Sequence, residues 1–253
     1  MEAMPDIGWF VLVGCVAQLI DGALGMAYGT ISSAVLLTLG IPPALTSATV
    51  HAAEVATTGA SAVSHAAFKN IDRRIFIGLA VPGVIGGIAG ALALTWLPGD
   101  AIKPWVASYL LLLGILIFVR SWREPPLRRP ITHPPLLGFS AGALDALGGG
   151  GWGAITTSTL IMKGVEPRYA IGTANAAEFF VSIAVAVTLG FALGALYWQA
   201  VLGLLIGGVL AAPFAAYAAR MLPHRVMMRL VGVVVVVLSA YTLARSLLGP
   251  AST

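Results

Sequence analysis

Residues 75–97 read IFIGLAVPGVIGGIAGALALTWL, an apolar run without a charged side chain. At about 1.5 Å per residue a helix of this length crosses a hydrocarbon core of about 30 Å. Trp105–Val119, Tyr197–Ala219 and Met227–Leu248 are comparable runs, each long enough or nearly so. The composition points the same way: of 253 residues 58% are hydrophobic and 9% charged, with mean hydropathy +0.94. A soluble domain is about a quarter charged, and no water-soluble fold hides this much apolar surface. A membrane β-barrel needs segments of about ten residues that alternate apolar with polar, and these unbroken Val, Leu, Ala and Gly runs do not alternate. The expected fold class is therefore all-α, a polytopic integral membrane helical bundle.

The net charge of +4 does not mark a nucleic-acid binder, because the Lys and Arg residues are scattered through short loops. Loop charge of this kind reports topology. The single cysteine, Cys15, excludes an intramolecular disulfide and a multi-cysteine metal site. Leu12-Val13-Gly14-Cys15 resembles a lipoprotein cleavage box, but a signal needs a basic start and this one carries Glu2 and Asp6.

Sliding the chain along itself gives a gap-free match at an offset of 124 residues. Asp21 falls on Asp145, Gly25 on Gly149, Gly29 on Gly153 and Pro43 on Pro167; Thr49-x-x-Ala52-Ala53-Glu54 falls on Thr173-x-x-Ala176-Ala177-Glu178. The chain reads as two homologous repeats, 1–120 and 136–253, joined by an Arg- and Pro-rich linker over 121–135. Each repeat opens with a glycine-broken unit (7–40 and 136–163) followed by three spans: 44–68, 75–97 and 104–120, then 168–190, 196–219 and 226–247.

Each broken unit forms either a re-entrant hairpin or one long crossing. The loop charges favour the hairpin. Gly40–Ala44 is uncharged where its counterpart holds Lys163 and Arg168. Lys69, Arg73 and Arg74 face an uncharged Gly190–Tyr197, and Lys103 with Asp100 faces Arg220, Arg225 and Arg229. Positive charge switches sides at every equivalent loop, as the positive-inside rule requires of an inverted repeat. The basic loops 69–74, 120–129, 163–168 and 220–229 then lie in the cytoplasm and both termini outside, in a multi-pass protein of the cytoplasmic membrane. Eight continuous crossings would divide the basic loops between the two sides.

Gly22, Gly25 and Gly29, and Gly148–Gly151 with Gly153, are too many for an uninterrupted helix, since each costs up to about 1 kcal/mol. In lipid an unwound backbone is tolerated only against protein or a water-filled cavity. Hydroxyls follow each break: Thr30, Ser32 and Ser33 in one copy, Thr156, Thr157, Ser158 and Thr159 in the other. Free N–H groups and the positive dipole end at a half-helix start make an anion-binding arrangement. The plainer alternative is that glycines allow tight helix packing and hydroxyls bond back to their own helix.

A second constellation lies inside otherwise apolar spans: Thr49, His51 and Glu54 against Thr173, Asn175 and Glu178. An intramembrane carboxylate costs a few kcal/mol unless protonated, paired or hydrated. Glu54 and Glu178 are accordingly candidates for proton coupling, the alternative being a structural cap. His51 in place of Asn175 suits a titrating group or a packed hydrogen-bond donor. Asp21 and Asp145 precede the breaks and are expected to bond freed N–H groups, a structural role, while Tyr28 and Trp152 wall the cavity or fill space. The expected substrate-binding set is Gly25, Gly29, Thr30, Ser32, Ser33, Thr49 and His51 with Gly149, Gly150, Gly153, Thr156, Thr157, Thr173 and Asn175. There is no phosphate loop, HExxH or Ser/His/Asp array, so neither an enzyme, a metal nor a cofactor is expected.

The duplicated opening (Asp21-Gly-Ala-Leu-Gly-Met-Ala-Tyr-Gly29 and Asp145-Ala-Leu-Gly-Gly-Gly-Gly-Trp-Gly153), the Gly-x-Pro-Pro or Gly-x-x-Pro loop and the Ala-Thr or Gly-Thr run into the next span resemble the sulfite exporter TauE/SafE family. The resemblance extends over the whole chain. It implies a secondary carrier for sulfite, sulfoacetate or a related organosulfonate, whose partners are a small anion and the lipid bilayer; homo-oligomerisation is left open. An anion channel, or a membrane subunit or sensor without flux, are the alternatives. Met26, Ala27 and Tyr28 stand where the second copy has Gly150, Gly151 and Trp152. The only Lys or Arg within the expected spans, Arg120, Arg168, Arg229 and Arg245, stand near their ends, so no cation in a span's interior neutralises an anion.

Overall fold

The computed structural model describes residues 6–122, 133–221 and 224–248. Residues 123–132 of the linker and 222–223 of the 220–229 loop lie outside the described residues. Ten helices and no strand occur among the described residues: α1 Ile7–Leu24, α2 Tyr28–Thr38, α3 Pro43–Ala67, α4 Arg73–Trp96, α5 Gly99–Arg120, α6 Pro134–Gly148, α7 Trp152–Met162, α8 Pro167–Leu193, α9 Trp198–Met221 and α10 His224–Leu248.

Local chemistry sets the helix ends. Pro43 and Pro167 open α3 and α8 at positions where a helix needs no N–H. Asp72 caps α4, its Oδ1 accepting from the N–H groups of Arg74 (2.9 Å) and Ile75 (3.0 Å). Gly25 and Gly149 close α1 and α6 at φ 65° and 69°, a left-handed conformation in which a β-carbon is strained.

Helices α4 and α5, together with α8 and α10, hold stretches long and apolar enough to cross a bilayer by length and composition. Helix α3 is as long, but it carries a row of Thr, Ser, His and Glu that lowers its hydropathy. The molecule is apolar outside, and it holds a set of polar side chains inside a largely apolar core. Phe191 is 87% exposed and Trp96 85%, whereas His51 is 0% and Glu54 2% exposed. Trp9, Trp96, Trp105, Trp122 and Trp198 are exposed at or near helix ends, the level at which indole rings meet the membrane interface. Such a surface matches lipid and not water.

The packing repeats itself at the 124-residue offset. Helix α1 runs parallel to α9, with Phe10 against Gly203 and Val11 against Gly207; α6 runs parallel to α4, with Gly138 against Leu79, Gly142 against Gly83 and Ala143 against Gly90. Small residues let these backbones touch, which is how helices associate where lipid removes the hydrophobic drive. Equivalent helices of the two copies meet antiparallel. Along α3 and α8, Gly59 meets Phe179, Ser61 meets Asn175 and His65 meets Gly172. Along α5 and α10, Gly114 meets Val236, Phe118 meets Gly232 and Trp122 meets Arg229.

Candidate functional site

Each break is bracketed by the aspartate in the last turn before it. The Asp21 carbonyl accepts from the Gly25 N–H (2.5 Å), and its Oδ1 accepts from the Tyr28 N–H at the start of α2 (3.2 Å). In the second copy the Asp145 carbonyl accepts from the Gly150 N–H (3.1 Å) and its Oδ1 from the Trp152 N–H (2.9 Å). One residue thus ends a helix with its carbonyl and starts the next with its carboxylate, satisfying N–H groups that a break would orphan.

The breaks cross at the centre of the molecule. The Ser33 hydroxyl donates to the Gly149 carbonyl and the Thr157 hydroxyl to the Gly25 carbonyl (3.0 Å), two bonds related by the repeat offset. Gly29 lies against Gly150, and Gly153 against Met26, so closely that a β-carbon on any of these glycines would collide with the facing chain. Gly25, Gly29, Ser33, Gly149, Gly150, Gly153 and Thr157 therefore meet in one crossing, with Thr30 and Thr156 buried beside it. Tyr28 donates its hydroxyl to the Leu204 carbonyl (2.7 Å), and the Trp152 ring N–H donates to the Ala174 carbonyl (3.0 Å). Both aromatic rings are tied walls.

Four carboxyl groups, those of Asp21, Glu54, Asp145 and Glu178, lie close enough around this crossing to interact. Glu54 packs against Gly29 in the first turn of α2. His51 reaches the other break: its Nε2 is 3.1 Å from Asp145 Oδ2 and its Nδ1 2.8 Å from the Ser47 carbonyl, with both side chains buried. A carbonyl only accepts, so Nδ1 carries a proton, and the contact to the carboxylate needs a second one on either partner. The pair therefore holds two protons and no net charge. Asn175, at the place equivalent to His51, donates instead to Ser61 Oγ (2.8 Å).

The structure does not gather every residue of the expected set. Thr173 leaves the crossing to accept from the Asp72 N–H (2.9 Å), fixing the α3–α4 loop, and Thr49 lies five residues from Glu54, on a different face of α3. Ser182, Arg120 and Tyr109 are neighbours that the sequence reading missed. Ser182 sits one turn beyond Glu178 and approaches Glu54 from α8. Its place is legible in the 175, 178, 182 helical spacing, which puts three polar groups on one face. The Arg120 guanidinium donates to the Ala154 carbonyl in the first turn of α7 (3.1 Å), so a cation at a helix end does reach into the bundle. Tyr109 rests on Gly148 and Gly151 with its hydroxyl buried. No cluster of three or more His, Cys, Asp or Glu suited to a metal occurs among the described residues.

Buried polar atoms without a hydrogen-bond partner include Ser32 Oγ, Thr49 Oγ1, Glu54 Oε2, Tyr109 Oη, Asn175 Oδ1 and Ser182 Oγ. Buried polar groups are nearly always paired, and leaving one unpaired costs about 1–3 kcal/mol. Of these, Ser32 Oγ and Glu54 Oε2 belong to the surroundings of the α2 start, and Tyr109 Oη lies over Gly151 at the α7 start.

An apolar-coated helical bundle, with paired helix breaks at its centre and unpartnered polar groups around them, is the architecture of a membrane transport protein. Residues 10–242 match the family described as Sulfite exporter TauE/SafE. The chain belongs to that family, and it is a membrane transporter, not an enzyme. It is 43% identical over 248 residues to "Probable membrane transporter protein YtnM" of Bacillus subtilis (strain 168), a match covering 92% of this chain and 81% of that protein. No solved structure matches.

Proposed function

We propose that the chain is a proton-coupled secondary carrier of a small sulfur-containing oxyanion such as sulfite, sulfoacetate or a related organosulfonate. The observation that carries this is the crossing of two half-helix starts, α2 and α7, beside buried hydroxyls and a buried carboxyl that lack partners. Half-helix N-termini attract anions through free N–H groups and the helix dipole. Glu54, packed against that start, repels an anion as a carboxylate and hydrogen-bonds to it as an acid, so anion and proton enter together. The family description supports the choice of sulfur oxyanions. Uptake of labelled sulfite into proteoliposomes under an imposed pH gradient tests the reading. Accumulation that follows the gradient is expected; downhill flux alone means a channel, and binding without flux means a sensor or subunit.

The same reading takes the two copies, 1–120 and 136–253, as inserted upside down to one another, with both broken units as re-entrant hairpins. The antiparallel contacts of α3 with α8 and of α5 with α10 support this, because eight continuous crossings would make each of those pairs parallel. Thr38 of α2 beside Thr242 of α10 (3.0 Å) fits a half-helix that turns back to the face it came from. Cysteines placed at 70 and 224 on a Cys15→Ser background are expected to react from the cytoplasmic side. Labelling from opposite sides removes the inverted arrangement.

A further inference from the structure

The unpartnered atoms at the crossing are not distributed evenly between the copies. Ser32 Oγ is buried and unpartnered; its equivalent, Thr156, donates to the Trp152 carbonyl (2.7 Å). Ser182 Oγ is buried and unpartnered; its equivalent, Thr58, donates to the Glu54 carbonyl (2.6 Å). Both unpartnered hydroxyls and the unpartnered Glu54 Oε2 belong to one neighbourhood. Glu54 Oε1 lies against Gly29, Ser32 is one turn along α2 from Gly29, and Ser182 approaches Glu54 across the antiparallel α3/α8 contact. The N–H groups of Gly29 and Thr30, in the first turn of α2, have no acceptor in their own helix.

We propose that the protein binds one oxyanion, at a single site displaced from the pseudo-two-fold axis, built from the first turn of α2 with Ser32, Glu54 and Ser182. At the mirror place beside α7 the equivalent hydroxyls, Thr156 and Thr58, are committed to backbone carbonyls, which leaves the buried Tyr109 hydroxyl over Gly151 as a lone side-chain donor there. Ser182 comes from the second copy, so the site is shared between the repeats even though it serves only one of them. Its donors are the two hydroxyls, the backbone N–H groups of Gly29 and Thr30, and the Glu54 acid. Five donors converging from two sides suit a compact anion with several acceptor oxygens, of the size of sulfite or a terminal sulfonate. A monovalent halide, with one spherical acceptor, leaves most of them unpaired.

This rests on the carrier reading above, and two measurements keep the two apart. Sulfite is titrated calorimetrically into the purified protein, and sulfite uptake is followed in proteoliposomes. One sulfite per chain is expected. Ser182→Ala and Ser32→Ala are each expected to weaken binding about tenfold, Ser182→Thr to restore it to within threefold, Thr156→Val to cost less than Ser32→Ala, and Thr58→Val to stay within threefold of the parent. Melting temperature guards against misfolding, with Ser182→Thr as the folded reference. Two sulfites per chain, or equal losses from Thr156→Val and Ser32→Ala, overturn the single displaced site. So does a folded parent that binds no sulfite. One bound sulfite with the expected dependence on Ser182 but no uptake leaves the site standing and removes the carrier reading.

Discussion

The two helix breaks share a backbone plan and differ in what surrounds it. Each is held by an aspartate that joins one helix to the next, and each receives a hydroxyl from the other copy. Around the second break, His51 and Asp145 are paired, and Thr156 and Thr157 are both engaged. Around the first, Ser32 and Glu54 retain unpartnered atoms, while at the second the Tyr109 hydroxyl over Gly151 does. The lesson is that one backbone plan occurs twice while the side-chain bonding around it differs.

The largest effect is expected where the backbones touch. Gly150→Met installs the residue that the first copy carries at the equivalent position, Met26, but Gly150 lies against Gly29 at φ +157°, and no folded protein is expected by fluorescence-detected size exclusion. A well-folded Gly150→Met protein would make the breaks interchangeable and end the comparison. Next comes Glu54→Gln, which mimics the acid form: binding of sulfite is expected to persist while accumulation driven by a pH gradient is lost, with Glu178→Gln milder. Unchanged pH-gradient dependence in Glu54→Gln vesicles returns this carboxyl to a structural role.

His51→Asn, which copies Asn175 into the first repeat, leaves Asp145 Oδ2 buried without its partner. A cost of about 1–3 kcal/mol is expected, which is several degrees in melting temperature for a chain of this size. Adding Asp145→Asn should recover part of the loss, and an unaltered melting temperature in the single variant means that the pair does not fasten the second break. The smallest effect is assigned to Thr157→Ser, which keeps the hydroxyl bonded to the Gly25 carbonyl and should leave uptake within twofold. A larger loss would show that the methyl group, and not only the bond between copies, matters.

The helical bundle was legible because hydropathy and helix length answer to the same bilayer thickness. Residues 75–97, read as one span, lie almost wholly within α4. Glycine spacing located the interruptions because few other residues accept the backbone angles found at Gly25 and Gly149. What sequence could not convey is the allocation of partners. Ser32 and Thr156 occupy equivalent places, yet a single rotation about χ1 decides whether a hydroxyl bonds its own helix or faces the cavity, and both choices suit the local sequence. Thr173 shows the same limit from a distance, since its partner is a loop N–H contributed by the other repeat. Arg120 is not legible as a neighbour of the breaks because its Cα lies at a span's end, whereas its guanidinium travels several ångströms on its stem and so reaches α7.

The outward-facing apolar coat settles what a stability measurement on this protein means. Side chains such as Phe191, Leu248 and Trp96, each at least 85% exposed, would cost about 1.5–3 kcal/mol apiece in water, and there are many of them. The folded chain has no aqueous reference state. Its free energy of unfolding belongs jointly to the protein and to the detergent or lipid that wets this coat, much as a ligand's contribution belongs to a complex. Differences in melting temperature between variants therefore carry meaning only within one amphiphile at one concentration.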